Sequence, residues 1–114
     1  MRASPAALLL VGVLALAACS SFQGARLYER GTRTLDAGDP ERAVSDLERA
    51  SELVPHASEI QNHLGLAYAG AGRSDEALLA FRRAVELDCE NAAALENLDA
   101  AERAAVHSAD RGRP

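Results

Sequence analysis

Among the groups able to do chemistry are two thiols, Cys19 and Cys89, three imidazoles, His56, His63 and His107, and 17 side-chain carboxylates. Only Cys19 stands in a setting that assigns it a reaction. Arg2 opens the chain, an uncharged stretch rich in Leu, Val and Ala runs from Pro5 to Ala18, and two small residues precede the thiol. A basic start, a short apolar run and small residues before a cut make the layout of a secretory signal. A membrane-spanning helix needs about 20 predominantly apolar residues, so the stretch is expected to target the chain and not to cross a bilayer. The plain alternative is an ordinary signal cleaved after Ala18 or a few residues later.

The remaining groups form no catalytic constellation. The sequence has no Gly-rich strand-to-helix turn for phosphate, no zinc-type Cys or His pair and no nucleophile with an identifiable base. His63 follows His56 across an expected helix start, and all three imidazoles are expected at the surface. The carboxylates alternate with Arg, as in Glu41-Arg42 and in Asp75-Glu76 with Arg82-Arg83. That pattern reads as a solvated helix face. No enzyme activity, cofactor or metal is expected.

Leu16-Ala17-Ala18-Cys19 resembles the lipobox of bacterial lipoproteins: a branched apolar residue, two small residues, then Cys. The resemblance covers residues 1–19 and implies diacylglycerol on the Cys19 sulfur, cleavage just before it and acylation of the new amino group. In Gram-negative lipoproteins Asp after the Cys tends to retain the protein at the inner membrane; Ser20 stands there in this chain. The resemblance therefore implies the periplasmic face of the outer membrane. An acylated Cys19 leaves Cys89 without an intramolecular partner, and an odd Cys in an exported protein is a free thiol or an intermolecular link. A homodimer through Cys89 stays open.

Removing residues 1–18 leaves 96 of 114, enough for one modest domain. All 12 basic residues are Arg, and losing Arg2 takes the formal charge from −5 to −6. An acidic domain is a poor ligand for nucleic acid or for anionic lipid surfaces, which attract basic clusters. Nucleic-acid binding is not expected.

Small and apolar residues return at a period of 34: Gly31 and Gly65, Ala37 and Ala71, Gly38 and Gly72, Ala43 and Ala77, Ala50 and Ala84, Leu53 and Leu87. Periods of this size mark helical arrays. Gly38-Asp39-Pro40 and Gly70 to Ser74 are the breaks, with Asp39 and Ser74 as caps and Pro40 in a first turn. Pro55 ends a helix, and Ser58 and Asn91 begin two more. Helices are expected near 25–37, 40–53, 58–70, 74–87 and 91–106. The small residues would let helix axes approach while Leu47, Leu64, Tyr68 and Phe81 fill the space between.

These positions resemble the tetratricopeptide repeat (TPR), most fully in the second copy with Leu64-Gly65, Tyr68, Gly72, Ala77, Phe81 and Ala84. The resemblance implies an all-α, right-handed superhelical array of two helix–turn–helix repeats and a C-terminal closing helix. The expected organisation is a signal at 1–18, a lipid-anchored linker at 19–23, repeats at 24–57 and 58–91, a closing helix at 92–107 and a disordered tail at 108–114. In TPR arrays the first helix of each unit lines a concave groove. By that resemblance the groove presents Tyr28, Thr32, Leu35, Glu59, Asn62, Leu66, Ala69, Glu96 and Ala100, with Thr32 and Asn62 bonding a peptide backbone. Tyr28, Thr32 and His63 occupy positions of the basic clamp that grips chaperone tails, so such tails are excluded. The implied function is an adaptor docking a membrane-proximal protein; the alternative is a structural lipoprotein whose partner is another copy of itself.

Overall fold

The computed structural model describes residues 2–113. Five helices follow one another: α1 Pro5–Asp36, α2 Pro40–Leu53, α3 Ser58–Gly70, α4 Ser74–Leu87 and α5 Ala92–Arg111, with no strand among the described residues. Turns of a few residues force consecutive helices to lie antiparallel. Each helix packs on the next, and α1, α3 and α5 also touch in turn whereas α2 and α4 do not.

The breaks inside the two units are the same structure twice. Gly38 and Gly72 take φ of 84° and 76°, a left-handed conformation that costs glycine nothing. In the first turn the Asp39 N–H donates to the Thr34 carbonyl at 3.1 Å and the Gly38 N–H to Leu35 at 2.9 Å. Arg73 to Tyr68 and Gly72 to Ala69 repeat this double closure. Asp39 caps α2 by accepting from the Arg42 N–H at 3.2 Å, and Asn91 caps α5 by accepting from Ala94 at 3.1 Å. Ser74 does not cap: it is the first residue of α4, which has no side-chain cap. The capping position falls one residue earlier on Arg73, whose guanidinium binds Glu76 and lies 4.8 Å over the Tyr68 ring.

Packing inside each unit depends on glycine. A Cβ on Gly31 would stand 2.7 Å from Leu47 Cγ, and one on Gly65 would stand 2.5 Å from Phe81 Cε1. The backbone of the first helix is thus in direct contact with the large side chain of the second. Leu47, Leu64 and Phe81 are buried, with Ala43, Ala50, Ala77 and Ala84 between them. Tyr68 departs from the expected core role. It is half-buried, its ring packs against the core and its hydroxyl donates to Glu48 Oε1 at 2.6 Å. Burial and then the Glu48 carboxylate push its phenol well above the usual tyrosine range.

Two expected boundaries move. Helix α1 begins at Pro5 and not near residue 25, so residues 19–23, expected as a linker, are helical. Nothing from Ala6 to Gln23 breaks a helix except Gly12, which costs only about 1 kcal/mol relative to Ala. With that continuation, α1 holds an 18-residue window of mean hydropathy 2.1, none of it buried, long and apolar enough to cross a membrane; a signal sequence near the N-terminus meets the same description. The expectation that the stretch is too short took its length from Pro5–Ala18 alone. At the other end α5 runs to Arg111, past 106 and into the segment expected as a disordered tail. No Gly or Pro occurs between Ala92 and Gly112 to stop it.

Candidate functional site

Direct contact along α1, α3 and α5, without contact between α2 and α4, makes the first-helix row the inner side of the curve. The nine positions expected in a groove lie on these three helices. Their availability differs. Glu59, Ala69, Glu96 and Ala100 are exposed; Tyr28, Thr32, Leu35 and Leu66 are half-buried, with Tyr28 and Leu35 packed against the core; Asn62 is buried.

Side-chain bonds between successive first helices account for that burial. Asn97 Nδ2 donates to Asn62 Oδ1 at 2.9 Å, and the rings of Tyr28 and His63 meet edge to face at 5.3 Å between centroids. Both pairs join residues 35 apart, one repeat plus one residue. A third tie involves Ser58, whose hydroxyl donates to the Ala84 carbonyl at 2.9 Å while accepting from Asn91 Nδ2 at 2.8 Å. Asn62 is thus a strut between α3 and α5, and its burial, more than its one bond, withdraws it from the groove surface. Thr32 is also engaged, donating to the Glu29 carbonyl at 3.1 Å. His63 leaves its expected surface position: Nδ1 lies 3.2 Å from Tyr28 Oη and 3.0 Å from the Glu59 carbonyl. Protonated there, it donates to the carbonyl; unprotonated, it accepts from the hydroxyl. Burial and then the Glu59 charge raise the Tyr28 phenol above its ordinary range.

His63 and Asn97 are the groove residues that sequence reading passed over. Their signal was the offset itself, since Tyr28 with His63 and Asn62 with Asn97 share one spacing. Replacing Asn62 by Ala should leave the Asn97 amide without its partner and cost about 1–3 kcal/mol. Urea unfolding should show the loss, and combining Asn62→Ala with Asn97→Ala should cost less than the two single changes summed, because both remove the same bond.

The thiols are both free and exposed. Cys19 sits within α1 and Cys89 in the turn after α4. Among the described residues no group of three or more His, Cys, Asp and Glu side chains could hold a metal ion.

A curved helical array with a glycine-mediated contact repeated in each unit defines a helical-repeat protein. Residues 58–91 match the family model of the tetratricopeptide repeat, so the all-helical chain carries a tetratricopeptide repeat over those residues. No match to a curated protein is found. The unit at 24–57 has the corresponding close contact, Gly31 on Leu47 where the second unit has Gly65 on Phe81, and the same left-handed glycine turn.

Proposed function

We propose that this protein is a membrane-anchored lipoprotein adaptor whose inner face docks a partner protein at the periplasmic face of the outer membrane. The observation that carries the adaptor reading is the inner face itself, where exposed Glu59, Ala69, Glu96 and Ala100 surround half-buried Leu66. Among the described residues neither Glu59 nor Glu96 has a basic partner. A segment with one apolar anchor flanked by Lys or Arg would complement this surface. The lipid anchor is supported by the lipobox resemblance and by an exposed Cys19 within α1, whose apolar window has no buried residue. Outer-membrane placement is supported by Ser20 alone.

Asp99 favours an adaptor over end-to-end self-assembly. It stands where Gly31 and Gly65 stand in the two units, and those positions touch the large side chain of the following helix. A carboxylate there resists another helix at the same spacing, as a solenoid cap should.

A second reading comes from the length of α1, which could remain uncleaved as a transmembrane anchor. Arg26, Arg30 and Arg33 follow its apolar part and only Arg2 precedes it, so the charge rule would then leave the repeats in the cytoplasm. Protease access in spheroplasts separates the two, because only the lipoprotein reading exposes the repeats outside.

Ala69→Arg and Leu66→Ala should each weaken partner capture about tenfold or more, the scale of losing an interface anchor. Circular dichroism should show unchanged helix content. Equal capture by both variants, with loss on changing Arg49 or Arg83 of the outer helices, would move the working surface to the convex side.

A further inference from the structure

We infer that the notch between α1 and α2 binds the phosphate groups of anionic phospholipids beside the anchor. This rests on the membrane-anchored reading and holds for a lipid anchor or an uncleaved span alike. Although the chain is acidic overall, four arginines, Arg26, Arg30, Arg33 and Arg49, line one open notch of about 510 Å³ with Leu27, Leu53, Gln23 and a single carboxylate, Glu29. Arg30 is held by Asp46, whose carboxyl it keeps below the usual range, and Arg33 by Glu29 at 3.1 Å. Among the described residues Arg26 and Arg49 have no carboxylate partner; Arg26 rests 5.9 Å from the Phe22 ring instead. Two uncommitted guanidinium groups therefore face the notch, and guanidinium pairs with phosphate oxygens in bidentate fashion.

The position along α1 specifies the source of the phosphate. Because residues 19–26 are helical, Arg26 lies about 10 Å beyond Cys19 along the axis. Seven residues are nearly two turns, so Cys19, Arg26 and Arg33 share one side of α1 with Arg30 beside them. The polar layer of a bilayer leaflet is about 5–8 Å deep, which an arginine side chain at that height reaches by snorkelling back along the helix. Arg49 joins from α2 across the notch. Phosphate fits this site as an oxyanion, and the bilayer is the phosphate store that the helix holds against it.

Protein purified from the membrane fraction and reconstituted in phosphatidylcholine vesicles, with or without phosphatidylglycerol, tests the inference through flotation and residue-resolved labelling with phenylglyoxal. The protein should float with both vesicle types. Phosphatidylglycerol should slow labelling of Arg26 and Arg49 about fivefold, the scale for a basic residue at an anionic surface, and leave Arg82 and Arg83 unchanged. High salt should remove the protection. Flotation with equal labelling in both vesicles overturns the headgroup site and leaves the anchor standing. Failure to float overturns the anchor and this inference together. Equal protection by soluble glycerol phosphate, without phosphatidylglycerol, overturns the bilayer as the source.

Discussion

Phe81→Ala should unfold the repeat domain or bring it to the edge of unfolding. Phe81 is 3 % exposed and its ring edge lies where a Cβ on Gly65 would be. Truncating a buried Phe costs about 3–5 kcal/mol, while a small domain has about 5–15 kcal/mol in all. The contact can be attacked from its other side. Gly65→Val places carbon 2.5 Å from the ring, and since α3 and α4 are packed along their length the helices must separate. Both variants should lower the urea midpoint sharply by circular dichroism. Leu79→Ala, at a side chain 64 % exposed on the same helix, should leave it within experimental scatter. A Phe81→Ala chain with the parent midpoint would mean that the two helices are not held by this contact.

The second large effect concerns the mass of the mature protein. On the lipoprotein reading, wild-type chain from the membrane fraction lacks residues 1–18 and carries acyl groups on Cys19, and Cys19→Ala keeps its full length without acyl mass. Two or more acyl chains separate stable attachment from the marginal binding of one, so the modification decides whether the processed protein stays on the membrane. Intact-mass spectrometry of both proteins reads the outcome directly. Full-length, unacylated wild-type protein in the membrane fraction would replace the lipid anchor with an uncleaved α1. Soluble mature chain without acyl mass would remove both anchors.

The period of small residues was legible because its physics is local to the repeat. Gly31 and Gly65 must be small for any pair of helices to cross so closely, and Gly38 and Gly72 must adopt positive φ to close the turns. Helices α2, α3 and α4 consequently begin and end at these breaks, although of the three only α2 has a side-chain cap. The lipobox resemblance is legible for another reason, being a linear pattern of four residues that depends on no packing.

What depends on neighbours was not legible. The sequence by itself determined an acidic, all-helical array with an apolar N-terminal stretch, since composition, period and breakers are properties of the chain alone. Tertiary structure decided which polar side chains are free. Asn62 and Thr32 share the register of Leu66 and Ala69, but Asn97 and the Glu29 carbonyl already satisfy them, and a buried amide keeps such a partner because leaving it unpaired is costly. Only the fold brings Arg49 of α2 beside Arg26 of α1, concentrating positive charge in a chain whose formal sum is −5. Net charge adds over the whole sequence, whereas the field at a surface falls off within about a Debye length, so the packing of α1 on α2 sets the local sign.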